Sequence, residues 1–337
     1  MRIGEIEVVP IASESLGVRS LCTAISTPDV RLLLDPSAAL AMREGREPHP
    51  LEYRMLIEIL ERILMEARQA DVLSVSHYHY DHVRPGFTNL RYNMSSRDEL
   101  QRMFQDKIVF AKDNREDVNA SQRRRGFFFE KDVSEVAEEI RWVDGQSYTF
   151  GETTVCHSHA LPHGPVDTNL GYIIATKIEH AGSRVVFAPD VQGPVVKDTL
   201  SWILSCDPDA VVVGGPPVYL KRFEDAHRHA ALASLLELAV RIPLLVVDHH
   251  LMRSKIWREW LHPVTEAASE VENRVMTMAG VAGLEPYCME SIREDLYSMY
   301  PPSPEFMNWV NATEKYKVGN PPPIVPPDGP DDGTPNK

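Results

Sequence analysis

Cysteine is scarce and scattered in this chain. The four thiols Cys22, Cys156, Cys206 and Cys288, spread over 337 residues, form no C-x-x-C pair. That excludes a disulfide framework and a zinc-finger spacing, and it suits a reducing compartment. Long hydrophobic runs are missing as well. No stretch approaches the roughly 18 consecutive apolar residues of a membrane span. The opening Met1-Arg2-Ile3-Gly4-Glu5-Ile6-Glu7 has no apolar core of the signal-peptide kind. A soluble, cytoplasmic protein with no membrane partner is expected. Positive charge is in deficit: the formal net charge is −14. Nucleic acid is therefore disfavoured as a partner, because phosphate contacts need clustered Lys and Arg, although a local basic pocket remains open. No internal repeat is visible.

What the chain does have is ample apolar material, 43% of its residues, enough for the core of a globular enzyme-sized protein. Strands are expected at Val18 to Ser26 and Val30 to Leu34. Leu56, Ile59, Leu60, Ile63, Leu64 and Ala67 then recur at helical spacing between Leu51 and Ala70. A short apolar run, Asp71 to Ser76, follows. Residues 84–147 are polar and read as a helical insertion, a possible lid, with helices near Ser96–Gln105 and Val133–Ile140. Strand-like segments return at Thr153–Cys156, Gly171–Thr176, Arg184–Ala188, Ala210–Val213 and Leu244–Val247, with a helix from Asp225 to about Val240. The order predicts an α/β sandwich rather than a doubly wound sheet, one domain over 1–318. Residues 319–337, rich in proline and poor in apolar side chains, read as a disordered tail.

The densest chemistry sits at His77-Tyr78-His79-Tyr80-Asp81-His82, directly after the apolar run. Neutral imidazole nitrogens and carboxylate oxygens are the usual ligands of zinc and similar divalent ions. His77 and His79 are two residues apart, so an emerging strand sends both to one side. Asp81 and His82 follow as the chain turns, placed to serve a second ion. One turn cannot complete two coordination shells, so further ligands are expected at later strand ends. His157, His159 and His163 follow one strand, Asp190 another, and His249 and His250 a third. A sharp His-Gly turn favours His163 among the first three. An extended strand would send His249 and His250 to opposite faces, so only one of them binds, with His249 preferred.

Ligands in this order resemble those of the metallo-β-lactamase superfamily, whose αββα sandwich carries them along one edge. The likeness runs from Asp35 to His250. It implies that Asp35, closing Leu32-Leu33-Leu34-Asp35-Pro36, is a buried structural carboxylate. It further implies that His77, His79 and His163 bind one metal and that Asp81, His82 and His249 (or His250) bind another, with Asp190 bridging. Within the superfamily, His163-Gly164-Pro165, Leu170-Gly171-Tyr172, Asp190-Val191-Gln192-Gly193-Pro194, Gly215-Pro216-Pro217, Asp248-His249-His250 and the run Ser121 to Arg125 are similar to the archaeal UPF0282 family. No activity follows from that closer likeness.

Two divalent ions, zinc by first expectation and manganese or iron as alternatives, imply a hydrolase acting through a metal-bridging hydroxide. Asp81 would orient the nucleophile and Asp190 would set the metal spacing. A carboxylate rather than a cysteine at the bridging position favours the glyoxalase-type, lactonase and ribonuclease branches. The substrate expected is a small anionic ester, lactone or phosphodiester. A nuclease, or an iron-dependent redox protein on the same ligands, stands as the alternative. Tyr78, Tyr80 or Tyr219 could supply a proton. Arg123, Arg124 and Arg125 read either as a solvated helix face or as a clamp for an anionic substrate, with Arg123, Arg124 and Tyr219 the candidate substrate contacts.

Overall fold

A computed structural model describes residues 1–166 and 169–324. Its strands form two seven-stranded sheets and a two-stranded ribbon of Leu161–Pro162 with Tyr172–Ile173. In the first, Arg2–Ile3, Ile6–Pro10, Thr23–Ser26 and Arg31–Leu34 make an antiparallel meander, and Val72–Val75, Ile108–Ala111 and Glu139–Trp142 continue it in parallel. In the second, Ser147–Phe150, Thr153–His157, Thr176–His180 and Ser183–Ala188 form the meander, and Ala210–Gly214, Leu244–Asp248 and Arg274–Met276 the parallel half. Every parallel step is bridged by a helix, as parallel strands require. The chain thus repeats one topology twice. No residue pattern announces this, because topology is preserved by strand direction and burial rather than by side-chain identity.

Alternation along the strands builds the layers. Leu32, Leu34, Val72 and Phe110 join Val185, Phe187, Val212 and Val246 in the space between the sheets. Their neighbours Leu33, Leu73 and Val109 face the Pro50–Gln69 helix, and Val186, Val211 and Leu245 face the helices on the other side. Strands buried on both faces read as continuous apolar runs, which is why they are legible in sequence. The result is an αββα sandwich, the layer order expected from the sequence. Leu56, Ile59, Leu60 and Ile63 form the buried stripe of the Pro50–Gln69 helix, as their spacing predicts. His49 caps that helix together with Glu52, whose carboxylate accepts the His49 N–H at 2.7 Å.

Two expectations about organisation are corrected. Residues 84–147 are not an insertion: Ile108–Ala111 and Glu139–Trp142 are integral strands of the first sheet. The Arg97–Phe104 helix lies where expected, but the second helix is Ala120–Val133, and the segment read as helical near 133–140 is a turn running into a strand. The apolar pairing of Val109 with Ile140 overrides local helix propensity there. Residues 320–324, expected to lie in a disordered tail, are instead packed on the domain. Trp309 donates its indole N–H to the Asn320 carbonyl at 2.7 Å, Pro322 is buried, and Ile324 packs on the first-sheet core. Trp309 and Phe306 in turn pack against Tyr53, with ring centroids 5.4 and 5.5 Å away. The remainder of the expected tail, residues 325–337, lies outside the described residues. No helix among the described residues is long and apolar enough to cross a membrane.

Candidate metal centre

The parallel strands of both sheets deliver their carboxyl ends to one edge, where loops carry the polar residues, the usual place for a site in such sheets. After Val72–Val75 the chain turns, with the His82 and Val83 amides donating to the His79 carbonyl at 2.9 Å each. Tyr78 is buried and points away from the site, its hydroxyl donating to the Lys112 carbonyl at 2.5 Å. His77, His79 and His82 point the other way. Asp190, just past Ser183–Ala188, and His249, just past Leu244–Asp248, both have positive φ, 44° and 65°. Such left-handed residues are uncommon outside glycine, and here they turn side chains sharply off strand ends.

Six imidazoles surround the Asp190 carboxylate. His163 Nε2 (2.8 Å), His77 Nε2 (3.1 Å), His82 Nε2 (3.2 Å) and His79 Nδ1 (3.7 Å) approach Oδ2. His249 Nε2 (2.6 Å) and His250 Nδ1 (3.4 Å) approach Oδ1. Two groups could each hold a cation: His77, His79, His163 and Asp190 in one, Asp81, His82 and His249 in the other, with the offered atoms of each group within 4.8 Å of one another. Asp190 with His249 and His250, and Asp35 with His77 and His82, make two further such groups.

The surroundings select which ring nitrogen faces inward. His82 Nδ1 donates to Asp35 Oδ2 at 2.8 Å, and His249 Nδ1 donates to Glu14 Oε2 at 2.8 Å, leaving both Nε2 atoms as donors to a metal. His77 Nδ1 meets the Ser76 hydroxyl at 3.0 Å, which itself donates to Asp35 at 2.7 Å. Carboxylate–histidine pairs of this kind orient ligand rings and fix their tautomers. Glu14 also binds the buried Arg253, whose Nε is 2.6 Å from Oε1, and Arg253 Nη2 reaches Asp81 Oδ2 at 3.2 Å. Glu14 and Arg253 were not legible in the sequence. Their only signal is a charged residue inside each of two otherwise well-buried stretches.

The electrostatics fit a cation. His77 Nε2, Asp190 Oδ1 and His250 Nδ1 are buried without a well-aligned hydrogen bond, a costly arrangement unless something else satisfies them. Burial keeps the His77, His79 and His250 rings below their ordinary pKa, in the neutral form that binds metals. Burial also opposes charging His82 and His249. There, however, Asp190, helped by Asp35 at His82 and by Glu14 at His249, wins, lifting His82 well above its usual value and His249 to about 9. The same rings hold Asp190 well below the carboxylate range in spite of its burial. Protons on His82 and His249 thus sit where divalent ions would. Metals displace protons from their ligands in this way.

The site opens into a cleft of about 900 Å³ whose lining includes His79, Asp81, His163, Tyr219, His250 and Arg253. Asp35 is buried behind the ligands, accepting from the Ser76 amide at 2.7 Å and from His82. His157 is buried in its strand against Thr176 and Phe110, and His159 is exposed, so neither competes with His163. The either-or reading of His249 and His250 fails on its premise: the strand ends at Asp248 and the chain winds into a 3₁₀ turn, His249–Arg253, which brings both rings toward Asp190. Asp248 anchors that turn, accepting from the Ser15, His249 and Met278 amides. Tyr219 does line the cleft, with the Arg43 guanidinium 4.2 Å from its ring centre. Arg123 and Arg124 are exposed on the Ala120–Val133 helix and are not part of the cleft lining. The cations lining it are Arg19, Arg43, Lys221, Arg222 and Arg253. A helix-face triplet carries no directional signal, so the sequence left open whether it met solvent or the cleft.

No family model matches the chain. Among solved structures it is similar to CmlA, a diiron β-hydroxylase from Streptomyces venezuelae, at 12% identity and a TM-score of 0.46, covering 82% of this chain and 53% of that one. It is also similar to the short form of human tRNase Z, at 12% identity and a TM-score of 0.40, covering 72% of this chain and 92% of that one. Sequence relatives lie much nearer. A UPF0282 protein of Methanopyrus kandleri is 39% identical over 292 residues, 86% of this chain and 98% of the relative. One from Thermococcus kodakarensis is 35% identical over 294 residues, 87% and 95% of the two chains. Identity at that level, sustained along nearly the whole of both relatives, reaches well beyond the site motifs, and the chain belongs to the UPF0282 family.

Proposed function

We propose that this protein is a hydrolase with two divalent metal ions, zinc in the first instance, acting on a small anionic ester, lactone or phosphodiester. The observation that carries the reading is the convergence of six imidazoles on one buried carboxylate at the floor of an open cleft. His77, His79 and His163 would hold one ion and Asp81, His82 and His249 the other, with Asp190 between them. When bound, such ions polarise a substrate oxygen and acidify water.

The chain's own groups divide the remaining work. Asp81, reaching the cleft edge and braced by Arg253 at 3.2 Å, accepts a hydrogen bond from the attacking water and sets its direction. Tyr219 is the one tyrosine of the three candidates in the cleft lining, and it takes the role of proton donor to the leaving group. Tyr78 is buried beneath the site, and Tyr80 packs under Arg125. Lys221 and Arg222 recognise the substrate's anion. They are exposed, with no carboxylate partner among the described residues, on a loop pinned by Arg228, which donates to the Val218 and Leu220 carbonyls. A loop held rigid with its charged tips unpaired loses little on binding. The net charge of −14 weighs against long nucleic acids as substrates.

The test is a hydrolysis screen against phosphodiester, lactone and thioester panels, with metal content measured on protein purified without added metal. Turnover in one panel is expected, falling about 100-fold or more in Asp81→Ala, the scale of a lost general-base contact. Activity unchanged in that variant, or abundant iron with visible absorption, would defeat this reading.

A further inference from the structure

Arg124 and Arg125, absent from the metal cleft, line a second cavity. It has a volume of about 520 Å³ and lies between the Ala120–Val133 helix and the turn Tyr80–Phe87. That volume falls within the roughly 300–1,000 Å³ of small-molecule sites. Ser121, Arg124, Arg125 and Phe128 line it from one helix face, at the i, i+3, i+4, i+7 spacing that places side chains together. Tyr80 and Phe87 face them from the turn, their rings edge-to-face at 5.5 Å.

Two features of this cavity call for a ligand. The first is exposed aromatic surface: Phe87 is 46% and Phe128 49% accessible, although both rings line a concave wall. Clustered apolar surface of that kind marks interaction sites. The second is unmet positive charge. Among the described residues neither Arg124 nor Arg125 has a carboxylate partner, whereas the one acid in the lining, Asp132, is already paired with Arg97 at 3.0 Å. Arg125 is pre-positioned, its guanidinium 4.4 Å over the Tyr80 ring and donating to the Tyr78 carbonyl at 3.3 Å. The buried Arg84 also lines the cavity. It is locked by the Ala38, Asn93 and Met94 carbonyls and by Glu99, and its Nε lacks a hydrogen bond. Aromatic walls suit a flat apolar body, and guanidinium forks suit a carboxylate, sulfonate or phosphate.

We propose that this cavity binds a small flat aromatic molecule bearing one anionic group, at a site separate from the metal cleft. The proposal does not rest on the hydrolase reading. The far wall of the cavity is the outer side of the turn whose inner side carries Asp81 and His82. Isothermal titration with 1-naphthalenesulfonate, which has no hydrolysable bond, tests it, with methanesulfonate as the anion without a ring. Saturable binding of one naphthalenesulfonate per chain is expected, with none for methanesulfonate. Arg124→Glu and Phe128→Ala should each weaken it tenfold or more, and Arg222→Ala in the metal cleft should leave it unchanged. Both altered side chains are solvent-accessible, and unchanged circular dichroism would confirm folding. Unsaturable binding, affinities within twofold of the parent in both variants, or loss of binding in Arg222→Ala would each overturn the proposal.

Discussion

Replacing Glu14 by Gln should weaken one metal ion selectively. Glu14 is buried and does two things at once: it accepts from His249 Nδ1 at 2.8 Å and from Arg253 Nε at 2.6 Å. An amide of the same shape can accept at its oxygen but must present its NH₂ to one of those two donors, setting donor against donor. If the oxygen stays with His249, Arg253 keeps only Asp81 at 3.2 Å. Removing one partner of a buried ion pair costs about 3–5 kcal/mol. The residual Asp81 contact places the expected loss near the lower end, about 3 kcal/mol, tolerable for a domain of ordinary stability. If the oxygen turns to Arg253 instead, His249 loses its orienting carboxylate. Loss of such a partner typically costs about 10–100-fold in metal affinity. Because the neutral amide lacks the carboxylate charge even where its oxygen stays with His249, the ion held by Asp81, His82 and His249 should weaken in both cases, by up to about that factor. The ion at His77, His79 and His163, whose rings do not touch Glu14, should be retained. Zinc competition against a fluorescent chelator, with stoichiometry by elemental analysis, reads the two sites separately. Two ions bound with parental affinities would refute the reasoning, and so would equal weakening of both.

Two further predictions concern stability. Burial opposes ionising Glu290, but Arg19, bound through two hydrogen bonds of 2.6 Å, with Arg253 and Arg293 nearby, brings its carboxyl down to about 2. A folded pKa below the unfolded value of 4.5 contributes stability fully present above pH 4.5 and lost as the pH falls through 2, about 3 kcal/mol in all. Glu290→Gln should therefore be destabilised by about that much at pH 7 and converge with the parent near pH 2 in urea melts; a pH-independent gap would contradict the linkage. Gly126→Ala should also destabilise, although alanine favours helices by about 1 kcal/mol. Its Cβ would stand 2.5 Å from Asn114 Cβ and 2.9 Å from the buried Tyr78 ring, and overpacking of that kind costs about 1–3 kcal/mol. A higher urea midpoint for this variant would mean that the Ala120–Val133 helix can shift away from Tyr78.

Local chemistry was legible in the chain and distant chemistry was not. His77, His79, Asp81 and His82 announce themselves because four ligand residues within six positions have few other uses, and because a strand-to-turn transition places them on one side whatever the rest of the fold does. The Pro50–Gln69 helix and the doubly buried strands were equally readable, since their periodicity is intrinsic to backbone geometry. Asp35, His163, Asp190 and His249 could be nominated only as polar residues at strand ends, with family likeness to rank them. Glu14 lies 235 residues from His249, and no local pattern encodes such a partnership. The arginines show the limit from the other side: helical spacing put Arg124 and Arg125 on one face, but which cavity that face lines depends on where the helix packs. Sequence alone determined the ligand-rich turn and the layers that carry it. Only the tertiary structure decided which carboxylate orients which imidazole, and which cations face the cleft, because those are contacts between segments that meet through packing.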